Sequence, residues 1–266
     1  MTRAALVLGA TMVLAMAACG TSAADRLATV ADGVDRIDRG VLDMRLSIAS
    51  ISAPETPIGF ELEGPFDVSG DDVEADLTYR QIAGSADEEV RFIAADGRAF
   101  VEMDGSSYEI PVQEQPAQAA APTMLRDLSF DRWAASPTAV EGDDGTIMIT
   151  SPLDEVAALE GLSALLDSLG MREAAGFTAF DELDDEALRR AVRSGSMAVR
   201  VGPNDVLRTL EVSLRFGVDP SSPLGEALQD VAGADLRFVV DIAEPDGSIA
   251  VAVPTDAQPI SELPAA

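Results

Sequence analysis

The chain has 266 residues, a formal net charge of −29 at pH 7, no histidine and one cysteine, and all 18 of its cationic residues are arginine. A surface this acidic repels phosphate backbones, so we expect no nucleic-acid partner; a high-salt habitat and drift are both open as its cause. The lack of histidine excludes histidine-based acid–base catalysis and Ser-His-Asp triads.

The first residues have the layout of an export signal. Arg3 precedes an uncharged apolar run from Ala4 to Ala18, which is too short to span a bilayer comfortably. The run ends in LAMAACG, with the single cysteine at Cys19. This ending resembles the bacterial lipobox, and the resemblance implies that Cys19 is diacylated after residues 1–18 are removed. The alternative is an ordinary secretory signal beside a free thiol.

The lipobox interpretation predicts the domain organisation. Residues 1–18 would be the signal peptide, residues 19–24 a lipidated tether, and residues 25–266 one domain. Because two acyl chains hold a protein where one is marginal, we expect the diacylglyceryl group on Cys19 to anchor the chain to the extracytoplasmic face of the cell membrane.

The domain begins with a predicted helix over residues 25–40, which Gly40 would end. From Asp43 to Ile110 the period changes to two, and Asp96-Gly97 and Asp104-Gly105 separate short β-prone segments. Asp-Gly between alternating segments is a strong hairpin signal. We therefore predict an antiparallel meander of about six strands with one apolar face, and a bulge or an edge position at Gly64-Pro65 because proline cannot donate to the ladder.

The central part of the chain is mainly helical. Residues 112–122 are predicted to form a loop or an interrupted helix. An apolar plug is predicted from Leu125, Leu128, Phe130 and Trp133. Within it, Trp133 either anchors the core, which is the favoured role, or stacks on a ligand. A strand over 146–150 and helices over 156–169 and 184–194 would follow.

Strands return at the end of the chain. The alternation predicts strands over residues 197–201, 206–218, 236–242 and 249–253. The order of elements is therefore strands, helices, strands.

No motif indicates catalysis or a metal. Gly161–Leu165 lacks the second glycine of a G-x-S-x-G elbow. The acid pairs Asp143-Asp144 and Asp184-Asp185 lack calcium-loop spacing, and we interpret them as turn and helix-start residues. We therefore expect no catalytic residue, no metal ligand and no cofactor.

The order of several short motifs resembles the LppX/LprG-type lipoproteins of actinobacteria. The motifs are the lipobox, Gly64-Pro65-Phe66, Tyr108-Glu109-Ile110-Pro111, Phe130 to Trp133, Val199-Arg200-Val201-Gly202 and Leu207-Arg208-Thr209-Leu210. The resemblance implies an α+β fold similar to the LolA/LolB carriers, in which a strongly curved antiparallel sheet forms a half-barrel with helices packed on its concave face. The hollow between them holds acyl chains.

Two functions remain open. The first is a carrier that binds or transfers a lipid or glycolipid in a cavity between sheet and helices, with an envelope transporter as an expected partner. The second is a non-catalytic envelope scaffold or partner-binding lipoprotein, in which the same residues close on each other as a dry core. The candidate cavity residues are Met44, Leu46, Phe60, Leu62, Leu77, Leu159 and Leu166.

Overall fold

The first six strands form the predicted antiparallel meander. The computed structural model describes residues 21–70, 72–83, 89–111, 125, 128–172, 177, 185–217 and 233–262. The signal, Cys19, residues 112–122 and Asp184 lie outside these residues. The strands of the meander are β1 (Arg39–Ser50), β2 (Ala53–Asp67), β3 (Glu74–Ala83), β4 (Glu89–Ala95), β5 (Arg98–Met103) and β6 (Ser106–Ile110).

Both Asp-Gly pairs make two-residue turns, as predicted. Asp96 and Gly97 have φ angles of 54° and 68°, and Asp104 and Gly105 have 52° and 73°. Two successive positive φ angles define the hairpin turn whose twist matches that of the flanking strands. The turn chemistry therefore fixes the register of β4, β5 and β6 locally.

The prediction of a bulge or an edge position at Gly64-Pro65 is wrong. β2 lies inside the sheet between β1 and β3, and its register with β3 is the same before and after this pair. Gly64 has a φ of 148°, and a Cβ there would overlap the carbonyl oxygen of Asp76. The missing side chain of Gly64 thus lets β2 and β3 approach closely. This close approach occurs next to Pro65, which has no backbone N–H to donate to the sheet.

A second meander continues the same sheet. Its strands are β7 (Thr138–Glu141), β8 (Ile147–Pro152), β9 (Val192–Val201), β10 (Leu207–Gly217) and β11 (Gly233–Ala243). The full order is β12-β6-β5-β4-β3-β2-β1-β11-β10-β9-β8-β7, and β12 (Gln258–Pro259) is parallel to β6 whereas the other pairs are antiparallel. Within the described residues, the two meanders are joined where β1 pairs with β11, and the sheet is open.

The helices have different bounds from those predicted. α1 spans Ala23–Gly33, with Ser22 as its N-cap, and a 3-10 turn follows at Val34–Arg36. It therefore includes two residues of the predicted tether and ends before Gly40, which lies in β1. A Cβ at Gly40 would come 3.0 Å from Ile242 and 3.2 Å from Phe66, so this glycine serves close packing and not helix termination.

Two helices lie between β8 and β9. α2 spans Glu155–Ser168, close to the prediction, and α3 is limited to Asp185–Ala191. Arg193 was expected at the end of α3, but it lies in β9 because the chain enters the strand at Val192.

The predicted strand over residues 249–253 is absent. These residues alternate between half-buried and exposed without sheet pairing. Further along, Ala252–Thr255 line a groove together with Ile93, on the face of β4 and β5 opposite the main core. There Ile93 and Phe100 are only 1% and 0% exposed. The alternation of apolar and polar residues in this segment thus reflects its position on an apolar surface and not hydrogen bonding within the sheet.

One hydrophobic cluster joins the inner face of the sheet to the helices. It includes Ile110 at one end of the sheet, Ile149 at the other, and the helix residues Leu27 and Leu162. A flat sheet of this strand number would be about 50 Å wide, at about 4.8 Å per strand. The helices share this cluster with strands from both halves of the open sheet, and the expected half-barrel with helices on its concave face is confirmed.

Among the described residues, no helix is long and apolar enough to cross a membrane.

Candidate functional site

Five of the seven candidate cavity residues lie on three adjacent strands. Met44 is directly opposite Leu62, and Leu46 is directly opposite Phe60, across the β1–β2 pair. Leu77 lies on β3. Directly opposite side chains on one sheet face are in contact range, so these residues form one continuous apolar surface.

The two remaining candidates come from α2 and belong to the same core cluster as this surface. Leu159 and Leu166 are separated by seven residues, or about two turns, and therefore share one helix face. All seven candidates are 0–4% exposed and belong to the single core cluster. The structure thus brings the predicted residues together, and their contact with a ligand stays a prediction.

An aromatic pair lies at the border of this surface. The rings of Phe60 and Tyr79 are stacked, with centroids 6.2 Å apart and an interplanar angle of 28°. Tyr79 is half-buried, and this burial raises the pKa of its phenol. The pair therefore provides flat apolar area with one polar tip, an arrangement suited to an amphipathic ligand.

A cavity of about 200 Å³ lies beside Trp133 in the helical layer. Trp133 and Leu128 form part of its wall, and Gly161 and Leu165 of α2 form another part. Trp133 is 2% exposed and belongs to the core cluster, as do Leu128 and Leu165. The core-anchor role of Trp133 and the apolar plug are confirmed. The cavity itself lies on the outer side of α2, where Ala164 and Ser168 are exposed.

The opposite face of the sheet carries paired charges. Arg91 bonds to Asp76 at 2.5 Å and to Glu102 at 2.9 Å across neighbouring strands. Arg98 donates to Glu109, and this hydrogen bond lowers the pKa of the Glu109 carboxyl. Opposite charges on neighbouring strands support pairing, so these ion pairs contribute to the stability of the sheet.

One carboxylate on that face lies among other acids. Partial desolvation, together with the negative charges of Asp241, Glu63 and Glu61, raises the pKa of Asp43. Even so, no group of three or more acidic, cysteine or histidine side chains within the described residues could hold a metal ion. Asp144 accepts from the backbone and the hydroxyl of Thr146, which confirms its role as a turn residue.

A second cavity, of about 280 Å³, escaped sequence reasoning. It is lined by Arg36, Arg39 and Arg208, which come from distant parts of the chain. No local pattern marks these residues, because the cavity exists only where the starts of β1 and β10 meet the end of β11.

Comparison with solved structures shows a likeness of fold. No protein-family model matches the chain. No curated protein sequence matches it either. The chain is similar to the crystal structure of LprF from Mycobacterium bovis, with 9% identity and a TM-score of 0.44 over 87% of this chain and 96% of that one.

Proposed function

We propose that this protein is a membrane-anchored, extracytoplasmic lipoprotein that binds or transfers lipids or acylated molecules between its sheet and helices. The observation that carries the proposal is the continuous apolar surface that β1, β2 and β3 form inside the core cluster to which the leucines of α2 also belong. An envelope transporter that exchanges the cargo with the protein is a proposed partner.

The way in which α2 is attached supports entry of an acyl chain. Its start is tied down by two backbone hydrogen bonds, from Asp154 to Trp133 at 2.8 Å and from Leu153 to Gly195 at 3.2 Å. Along the rest of the helix, leucine side chains meet the core. An acyl chain that replaced these apolar contacts would itself be stabilised by about 0.8 kcal/mol for each buried methylene.

The proposed anchor is Cys19, which lies outside the described residues. A diacylated Cys19 would hold the domain at a lipid surface, within reach of acylated ligands. α1 begins at Ala23, so only a short stretch separates the proposed anchor from ordered structure.

A second candidate function is a non-catalytic envelope scaffold with a filled core. The observation in its favour is that Met44, Leu46, Leu62 and Leu77 are each 0% exposed. Moreover, none of the seven candidates lines any of the five most prominent cavities of the described residues. The two functions therefore differ in whether the helical layer separates from the sheet.

Lipid extraction distinguishes the two functions. The chain lacking residues 1–19 is purified from its native host, and solvent extracts are analysed by mass spectrometry. Stoichiometric lipid supports the carrier, whereas a clean extract together with no uptake of a fluorescent fatty acid contradicts it and favours the scaffold.

A matched pair of variants tests the entry site. Ala164→Leu narrows the cavity beside Trp133, and Ala252→Leu adds the same volume at an exposed position far from it. We expect Ala164→Leu alone to weaken fatty-acid uptake. Trp133 is the only tryptophan, so its fluorescence reports occupancy directly.

A further inference from the structure

The cavity of about 280 Å³ at the start of β1 collects positive charge in a strongly acidic protein. Arg36 lines it from the 3-10 turn after α1, Arg39 from the start of β1, and Arg208 from the start of β10. The net charge of the chain is −29, so three guanidinium groups around one cavity are unusual for this surface.

The pairing of these arginines differs from that elsewhere on the sheet. Arg91 and Arg215 each meet an acid on a neighbouring strand. Arg208 is likewise paired with Glu244. Within the described residues, Arg36 and Arg39 form no ion pair, and the charge of Arg39 acts only at longer range on Asp67. Arg36 and Arg39 are therefore two cavity-lining arginines whose charges no acid of the described residues pairs with directly.

The surroundings of the arginines define the ligand further. Asn204 contributes an amide to the rim, and Asp38 and Glu244 reduce the formal local charge from three arginines to +1. Ile37 and Ile242 form the floor, are 9% and 4% exposed, and belong to the main core cluster. The cavity thus combines excess positive charge with an apolar floor.

We propose that this cavity binds a phosphate group carried by a small organic molecule. The planar fork of each arginine matches phosphate oxygens and can bind them with two parallel hydrogen bonds. The apolar floor would contact the carbon skeleton next to the phosphate. The source of the phosphate is either a lipid headgroup or a soluble phosphate ester.

The phosphate site does not require acyl binding, whereas a lipid source for the phosphate rests on the proposed function. The two cavities have no lining residue in common. A lipid would place its phosphate among the arginines and its acyl chains against the core that begins at Ile37 and Ile242.

Calorimetric titration tests the proposal on the chain lacking residues 1–19. The probes are inorganic phosphate, glycerol phosphate, dihexanoyl phosphatidic acid and the uncharged dihexanoylglycerol. We expect the phosphate probes to bind, and the double variant Arg36→Gln/Arg39→Gln to weaken them by about tenfold or more. Arg189→Gln, an exposed arginine of α3 outside the cavity, is the matched control and should leave binding unchanged.

The outcomes separate the source of the phosphate from the site itself. Tighter binding of phosphatidic acid than of glycerol phosphate supports a lipid source, and equal binding supports a soluble ester. Binding of phosphate without any binding of dihexanoylglycerol leaves this site in place while it counts against the lipid carrier. No binding of any phosphate probe, or binding that the double variant leaves unchanged, overturns the proposal.

A second measurement tests the proposal without relying on the double variant, which could fold poorly. In the wild-type protein, backbone amide NMR signals of residues 36–39 and 204–208 should shift on addition of glycerol phosphate. An absence of shifts there overturns the proposal independently of the mutations.

Discussion

Trp133 packs directly on the backbone of α2 at Gly161, where a Cβ would come 2.5 Å from Cζ2 of the indole ring. The side chain of Trp133 therefore occupies the space that any larger residue at position 161 would need. Because the carbonyl of Trp133 also accepts from the amide of Asp154, this contact fixes the 3-10 turn Phe130–Trp133 against the start of the helix.

Replacing Gly161 by alanine should destabilise the protein despite the higher helix propensity of alanine. The propensity gain is about 1 kcal/mol, and overpacking against a buried ring costs about 1–3 kcal/mol. Gly33→Ala is the control, because its Cβ would meet nothing closer than 3.4 Å at the end of α1. Urea unfolding midpoints measure both, and equal midpoints for the two variants would argue against the Trp133 contact.

Gly64→Ala should disrupt the pairing of β2 with β3 and cost more than 3 kcal/mol, because Cβ would overlap the carbonyl of Asp76 in addition to the backbone strain. Gly247 has a similarly positive φ of 139°, but a Cβ there would contact nothing within 4 Å. Gly247→Ala therefore carries the strain alone and should cost about 1–3 kcal/mol. The difference in unfolding free energy isolates the clash, and a difference near zero would contradict it.

Asp43→Asn should stabilise the protein at pH 7. The raised pKa of Asp43 means that the folded state holds its proton more tightly than the unfolded state, so ionisation costs stability as pH rises through the folded pKa. The gain from the amide should therefore shrink as pH falls below the ordinary aspartate range. Thermal unfolding from pH 3 to pH 8 measures the trend.

Asp67→Asn should have the opposite effect on stability at pH 7. Hydrogen bonds from the hydroxyl and backbone of Ser69 lower the pKa of Asp67, so its ionised form contributes stability that is lost as pH falls through the folded pKa. This variant should be destabilised at pH 7, and its deficit should vanish in acid. Parallel pH profiles for the two variants would refute both assignments.

Leu62→Ala should cost about 2–5 kcal/mol in the lipid-free protein, as expected for a fully buried leucine. If the lipid proposal holds, a saturating fatty acid should restore part of this loss by filling the space next to Met44. Leu236→Ala, at a buried position of β11 outside the candidate set, should lose similar stability without such recovery. Urea unfolding of both variants, with and without the fatty acid, measures this recovery. Equal recovery in the two variants would contradict the prediction.

Cys19→Ala in the full chain should release the protein from the membrane fraction. The two acyl chains proposed for Cys19 provide the hydrophobic energy of attachment, and the variant lacks them. Fractionation of cells, together with mass spectrometry of the wild-type N-terminus, gives the answer. Ser22→Ala serves as the control, because it changes only the N-cap of α1; retention of the Cys19 variant would show that the lipobox is not used.

Much of the fold follows from local patterns. Alternation of apolar and polar residues with a period of two predicted the strands β1 to β6. The two Asp-Gly pairs predicted the turns, because few residue pairs other than Asp-Gly and Asn-Gly adopt two successive positive φ angles. The same rule failed for residues 249–253, where alternation arises from a surface contact. It also missed β7, a short strand whose residues are all exposed.

The candidate site was predictable as a set of inward-facing residues but not as a geometry. Strand parity and helix spacing placed Leu62 and Leu159 on apolar faces, which is sufficient to expect burial. Whether the apolar faces of the sheet and of the helices touch or enclose a space depends on the curvature of the sheet and on its distance from the helices. Neither quantity is set by residues that are close together in the chain. The arginine cavity had no sequence signal for the same reason.

By itself, the sequence determined the acidic and histidine-free chemistry, the apolar periodicity and the turn positions, because each of these depends on residues close together in the chain. Only the tertiary structure decided that β1 pairs with β11, which joins the two meanders into one curved sheet. It also decided that Arg36 and Arg208 share a cavity. Such pairings depend on the packing free energy of the whole core, which no local backbone preference encodes.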